Sequence, residues 1–297
     1  MKPAGAYRFR RAIRPFSYTV AMAACGLGTV LALQQGYGNV WLALLIIGAG
    51  VLIQAAVNLI NDHADLPVLE SRLQAAEGEA RQEWAQAIDQ VQRHHLLGMI
   101  FFGVSLLIGL GLVLIQGWPL LVIIILGLLG GYFYSAEPVH YKRRGLGVVL
   151  VFWFMGVLLV GGSAMAMGAP ITLSLLAVSI PFSLLTSLVL LANEIRDHQE
   201  DRRHGLGTLT VRIGLEAGRY LYVTMLVGAY LVSLGLWWAG LLPWVWQLLF
   251  SLPLAFVPLM KVINLQADRS DLPPLTGKLF AVFALLFLCA FMLELVL

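Results

Sequence analysis

Long apolar runs alternate with polar breaks along this chain, and the length of the runs decides its class. Nine stretches, roughly residues 17–35, 40–60, 96–115, 119–135, 146–167, 171–192, 219–240, 242–263 and 278–296, are almost free of charge. Each is close to the ~20 residues that an α-helix needs to cross a bilayer. The pattern predicts an all-α polytopic membrane protein of nine transmembrane helices, a single domain over residues 1–297. Four breaks, at 36–39, 116–119, 168–170 and 241–243, are short and uncharged and carry Gly, Pro or polar residues. The other four, about 61–95, 136–145, 193–218 and 264–277, are longer and charged, as is the N-terminal tail. The two kinds alternate strictly, as connections on opposite faces of a membrane must.

Charge gives the pattern a direction. All 19 Lys and Arg fall in the tail or in or beside the charged connections, which puts them on one face. The positive-inside rule makes that face cytoplasmic, so the N-terminus is expected inside and the C-terminus outside. One span more or fewer would destroy the segregation. Of the 16 Asp and Glu, only Glu294 falls on the outer face. Acidic residues have little weight in orientation, so their gathering on the cytoplasmic face points to chemistry there. Composition agrees with a membrane protein: 12% of residues are charged, against about 25% in soluble domains. The net charge of +3 belongs to loops on one face and does not indicate a nucleic-acid partner. Cys25 and Cys289 lie inside apolar runs without ligand-spaced neighbours and read as small buried residues. The first run is longer than a signal peptide requires and reads as a true span. Within loop 61–95, residues 74–94 read as a surface amphipathic helix. Gly130-Gly131, Pro181, Pro253 and Pro258 are expected to bend or open their helices locally.

Two polar stretches close apolar spans on the charged face. The first contains Asn58, Asp62 and Asp65 and is followed by Pro67, which is expected to end the helix. In the second, Asn193, Asp197 and Asp201 recur at i, i+4 and i+8, so they line one face if the helix outlasts its apolar part. Singly, each reads first as a solvated helix end, since a helix end at a membrane surface is normally polar. Together, at one depth, they present carboxylate and carboxamide oxygens without Cys or ligand-spaced His, a donor set that suits Mg²⁺ better than Zn²⁺. Mg²⁺ commonly binds through one or two carboxylates and is completed by substrate phosphate oxygens. A facing pair of such sites suggests a diphosphate clamped through metal ions, and Lys142 and Arg143 in the loop between them supply cations to neutralise it. His63, His94, His95, His198 and His204 lie in or beside charged loops and read as surface residues.

These residues carry a resemblance. The pairing of 58–65 with 193–201 on nine spans resembles the UbiA superfamily of intramembrane prenyltransferases, over nearly the whole chain. Asn193-Glu194-Ile195-Arg196-Asp197, Asp201-Arg202, Gly205 and Thr208-Leu209-Thr210-Val211-Arg212-Ile213-Gly214 are similar to the 1,4-dihydroxy-2-naphthoate prenyltransferase branch of menaquinone synthesis. Arg143-Arg144-Gly145-Leu146-Gly147 and Arg14-Pro15 are similar to it too, while Tyr134-Ser135-Ala136 with Lys142 resembles the chlorophyll-synthase branch. The chain departs from the pattern in three places: Leu69 and Glu70 stand where a further acid follows the first motif, Val148 where Glu is typical, and Leu206 where Lys is common. Any third first-motif acid would therefore be Glu70.

The resemblance implies a UbiA-type bundle and Mg²⁺-assisted transfer of a polyprenyl group from an allylic prenyl diphosphate to an aromatic acceptor. The naphthoate branch would add decarboxylation of the acceptor. Asn58, Asp62, Asp65, Asn193, Asp197 and Asp201 would hold Mg²⁺ and diphosphate. Asp62, Asp65, Asp197 and Asp201 would be the catalytic carboxylates. Lys142, Arg143, Arg202 and Tyr134 would contact the diphosphate, Arg14 would orient the acceptor, and the aromatic residues 152–154 could line the isoprenoid path. The expected location is a bacterial plasma (inner) membrane with the site at its cytoplasmic face. Acceptors of the 4-hydroxybenzoate, homogentisate or chlorophyllide type remain open. A reading of a different class, a cation-coupled transporter, would use the same carboxylates to bind a translocated ion.

Overall fold

The computed structural model describes residues 7, 9–12, 15–134 and 138–296. In chain order these form α1 (Phe9–Ala12), α2 (Pro15–Gln34), α3 (Val40–Asn61), a 3₁₀ turn (Asp62–Asp65), α4 (Leu66–Ala75), α5 (Gly78–Gln116) and α6 (Trp118–Tyr132). A 3₁₀ turn (Tyr141–Arg144), α7 (Gly147–Val151), a π-helical turn (Phe152–Leu158), α8 (Leu159–Ala166) and α9 (Leu173–Arg203) follow. The chain ends with α10 (Leu209–Ile213), α11 (Leu215–Trp238), a 3₁₀ segment (Val245–Ser251), α12 (Leu252–Ile263) and α13 (Leu272–Val296). No strand occurs among the described residues. Among the described residues, eight helical stretches are long and apolar enough to cross a membrane, and Trp118–Tyr132 is a shorter apolar one. Each falls on one of the runs read from the sequence, so the chain is an all-helical integral membrane protein.

Two helices form the centre. In α9, 67% of the most apolar window is buried, against 17% in α5, so α9 is an inner helix and α5 a peripheral one. α2 packs against α3, α8, α9 and α13, and α9 packs against α2, α7, α11 and α13. Lipid tails are as apolar as Leu, so helices in a membrane are held by close packing rather than by hydrophobic exclusion. Gly28 shows the consequence: a Cβ there would stand 2.8 Å from the Ser163 Cβ, so only Gly lets α2 and α8 approach this closely. Pro181 sits inside α9 without ending it. Nearby hydroxyls bond to backbone carbonyls, Ser179 Oγ donating to Leu176 O at 2.7 Å and Ser183 Oγ to Ser179 O at 2.8 Å.

Three local expectations change. Residues 74–94 are not a separate surface helix; most of them form the first part of α5, which runs unbroken into the third span. Pro67 ends no helix: α3 already stops at Asn61, and Pro67 sits in the first turn of α4, where its missing N–H costs nothing. The fourth apolar run is helical only to Tyr132, just past Gly130-Gly131.

Two contacts fix which helix ends share a face of the bundle. The Asn58 side-chain amide donates to Ser17 Oγ at 2.7 Å, so the end of α3 lies beside the start of α2. At the other end of α2, Leu31, Gln34 and Gln35 line a cavity of about 200 Å³ together with Ser174, Leu175 and Val178 from the start of α9. Hence α9 runs antiparallel to α2, and its C-terminal part lies at the same end as the C-terminal part of α3. Both acidic stretches are at that end.

Candidate active site

The second acidic stretch is an extension of the central helix. No Gly or Pro interrupts the chain between Pro181 and Gly205, and α9 continues to Arg203, so Asn193, Asp197 and Asp201 do line one helical face. Asn193 donates its amide to Val189 O at 2.9 Å, which holds the side chain in place. Asp197 takes two charge-assisted bonds from Arg196, both 2.6 Å, with each side chain about one third exposed. Asp201 accepts from Thr208 Oγ1 at 3.2 Å.

The first stretch is built on a helix end. Asn58 and Asp62 are buried, at 4% and 2% exposure. The 3₁₀ turn over Asp62–Asp65 tightens the chain after α3, and Asp65 accepts from the Tyr7 hydroxyl at 3.0 Å. Burial and that bond to Asp65 push the Tyr7 ionisation well above the ordinary tyrosine range, so it stays a donor. His94 is not on the surface as its loop position suggests; it is buried, its ring 5.5 Å from that of Phe9. His63 and His95 pack ring against ring at 4.1 Å.

Leu69, standing where a further acid would complete the first motif, is 1% exposed and packs with Tyr7, Ala87 and Val91 in a small cluster under the charged loop. Glu70 points outward and is exposed. The position has become part of a core, so Leu69→Asp is expected to cost about 2–5 kcal/mol, the size of a large core truncation, without adding a metal ligand. A thermal melt together with a divalent-metal titration checks this; tighter metal binding at unchanged stability would refute it.

The basic loop stands against α9. A Cβ on Gly147 would lie 3.5 Å from Glu194 Oε1 and 4.0 Å from the Lys142 Cα. Tyr141 is buried and donates to Gly130 O at 2.6 Å, fixing the loop on the end of α6. Burial, with Tyr134 nearby, raises its ionisation far above the usual range. The Tyr134 ring lies 5.3 Å from that of Tyr141, and the Lys142 Nζ is 5.9 Å from the Tyr134 centroid. Other cations are committed elsewhere: Arg219 donates to the carbonyls of Val262 and Ile263, Arg269 to those of Lys261, Asn264 and Leu265, and Arg144 to that of Pro138. These cap helix and loop carbonyls. Among the described residues, Arg143 and Arg202 make no such side-chain bond. Arg14 lies outside the described residues. Phe154 packs against Tyr141 at 6.5 Å, whereas Trp153 is half exposed on the outside of the bundle.

Glu194, beside the acidic series, is a buried acid that spacing did not single out. It is 4% exposed, takes the Thr210 N–H at 3.1 Å, and gives its own carbonyl to Thr210 Oγ1 at 3.0 Å. A charged residue one place out of the i, i+4, i+8 series, inside a helix otherwise turning polar, was the available signal. Among the described residues no three His, Cys, Asp or Glu side chains converge as a closed metal-binding group. Oxygen donors held on two separate helix ends suit a hard cation completed by an anionic substrate rather than an all-protein cage.

The arrangement defines a membrane-embedded helical bundle with oxygen donors and a basic loop gathered at one end. The UbiA prenyltransferase family model matches residues 87–280. The chain belongs to that family and is a prenyltransferase. It is 32% identical to the 1,4-dihydroxy-2-naphthoate octaprenyltransferase of Escherichia coli, over 82% of this chain and 80% of that one. It is 27% identical to the protein of the same name from Bacillus subtilis, over 81% and 77%. Among solved structures, a UbiA homologue from Archaeoglobus fulgidus bound to GPP and Mg²⁺ superposes with a TM-score of 0.68 at 14% identity, covering 97% of this chain and 99% of that one.

Proposed function

We propose that this protein transfers a polyprenyl group from an allylic prenyl diphosphate to 1,4-dihydroxy-2-naphthoate, with loss of the acceptor carboxylate as CO₂, in menaquinone biosynthesis. The observation that carries the reading is the meeting of two acidic helix ends and one basic loop at a single end of the bundle. The naphthoate acceptor rests on the names of the bacterial relatives and on the 193–214 segment. In this reading all nine apolar helices span a bacterial plasma membrane, N-terminus inside and C-terminus outside, and the site opens at the cytoplasmic face. A transporter is disfavoured, because the acids stand at helix ends rather than on broken helices near the midplane.

Asn58, Asp62 and Asp65 on one side, and Asn193, Asp197 and Asp201 on the other, would hold Mg²⁺ against the diphosphate. Bound Mg²⁺ supplies Lewis-acid stabilisation of the departing diphosphate. Lys142, Arg143 and Arg202 neutralise the remaining charge on the leaving group as the allylic C–O bond breaks, and Tyr134 donates a hydrogen bond to it. The ring carbon of the acceptor forms the new C–C bond, and the ring–carboxylate bond breaks to release CO₂, its electron pair restoring the aromatic ring. Exclusion of water by the bundle protects the allylic cation from capture.

Purified protein should release diphosphate from a prenyl diphosphate only when both Mg²⁺ and an acceptor are present, and excess EDTA should stop it. Product masses from a panel of dihydroxynaphthoate, 4-hydroxybenzoate, homogentisate and a chlorophyllide identify the acceptor. A prenylated product from another panel member alone would overturn the naphthoate assignment.

A further inference from the structure

We infer that Arg212 is a positioning residue that ties the basic loop to the segment following the second acidic stretch and so sets where Lys142 and Arg143 meet the diphosphate. The inference rests on the prenyl-diphosphate reading of this site. Between α9 and α11 the chain is fastened at every second residue: Thr208 to Asp201, Thr210 to Glu194, and Arg212 to two carbonyls. The last of these spans the two loops. Arg212 Nε donates to Gly207 O at 2.8 Å in its own segment, and Nη2 donates to Arg143 O at 3.1 Å in the basic loop.

The surroundings are shaped for this side chain. A Cβ on Gly145 would stand 2.5 Å from the Arg212 Cδ, and Gly145 adopts a φ of +75°, which side-chain-bearing residues rarely tolerate. A Cβ on Gly207 would stand 2.5 Å from Arg143 O and 2.9 Å from Arg212 Nη2. Two residues without side chains therefore flank the guanidinium path. The fork geometry of Arg lets one side chain reach two acceptors at once; the ammonium of Lys is a point charge and does not reproduce that span. With the other face of the basic loop fixed by Tyr141 on Gly130 O, Arg143 is held at its backbone while its side chain remains available.

The test compares wild type with Arg212→Lys, Arg212→Ala and Gly207→Ala, using Arg219→Ala as a control that removes two carbonyl caps at the end of α12 instead of the bond to Arg143 O. In hydrogen–deuterium exchange, Arg212→Ala and Arg212→Lys are expected to lose protection at residues 139–146, and Arg219→Ala is not. In steady-state assays of diphosphate release, the KM for prenyl diphosphate is expected to rise about tenfold in the Arg212 variants and Gly207→Ala, the size of losing charge-assisted bonds. The kcat at saturation is expected to fall as well, because the same cations stabilise the leaving group as its charge develops, while the acceptor KM stays within about twofold of wild type. Unchanged exchange at 139–146, a fall in kcat with unchanged KM, full rescue by Lys, or the same KM shift in Arg219→Ala would each overturn the inference. Loss of protection in a wild-type background that turns over no prenyl diphosphate would instead count against the function reading itself.

Discussion

Asp62→Asn and Asp197→Asn are each expected to abolish prenyl transfer while the protein stays in the membrane at wild-type amounts. The substitution keeps the shape of the side chain and removes one negative charge, so it isolates the electrostatic role. Asp62 is almost wholly buried at the end of α3, where the low dielectric strengthens its attraction for a cation. Asp197, about one third exposed on α9, is paired through both oxygens with Arg196, a partner it would exchange for the cation. Without a carboxylate at either place, one side of the proposed clamp loses its grip on Mg²⁺, and the leaving diphosphate loses stabilisation as its charge develops. Removing one preorganised electrostatic group typically costs about 10²–10³ in rate. Diphosphate release from isolated membranes, normalised to the amount of protein, checks both variants. Undiminished turnover in either one removes that residue from the assignment.

Much of this was legible because bilayer thickness imposes a length on apolar runs. The continuation of α9 to Arg203 was also legible, since nothing between Pro181 and Gly205 can stop a helix and Asn193, Asp197 and Asp201 share its period. The junction inside α5 was not. The sequence changes from polar to apolar near residue 95, but a helix whose N–H groups are already paired has no reason to stop where only the side chains change. The end of α3 was misplaced because Pro67 is a visible stop signal, whereas the actual end is fixed from afar. Asn58 meets Ser17, Asp65 meets Tyr7, and Leu69 meets Val91. Arg212 is hidden for the same reason: its second acceptor is a backbone carbonyl 69 residues earlier, and carbonyls leave no mark in a sequence. The choice of cations in the site is the clearest case. Lys142, Arg143, Arg144, Arg219 and Arg269 look alike in a charge count, and only the fold separates those whose side chains bond to carbonyls from those proposed to meet the diphosphate.

Gly156→Val is expected to lower stability and activity together although it touches none of the acids. Gly156 lies in the π-helical turn between α7 and α8, and a Cβ there would stand 2.8 Å from the Ser183 Cα of α9, a backbone contact that no rotamer change relieves. The wider π turn admits this approach at one point, and Ser187 Oγ donates to Val148 O at 2.9 Å one helical turn along the same interface. Overpacking a fitted interior costs about 1–3 kcal/mol even where side chains can yield; here α9 itself must shift. In lipid no hydrophobic force draws the separated helices back together. Because Ser183 lies on the same rigid helix as Asn193, Asp197 and Asp201, a displacement at the first is carried to the others. The melting temperature in detergent should fall, prenyl transfer should fall with it, and Gly156→Ala should show a weaker form of both. A valine variant that melts and turns over like wild type would show that α9 does not depend on this contact for its position.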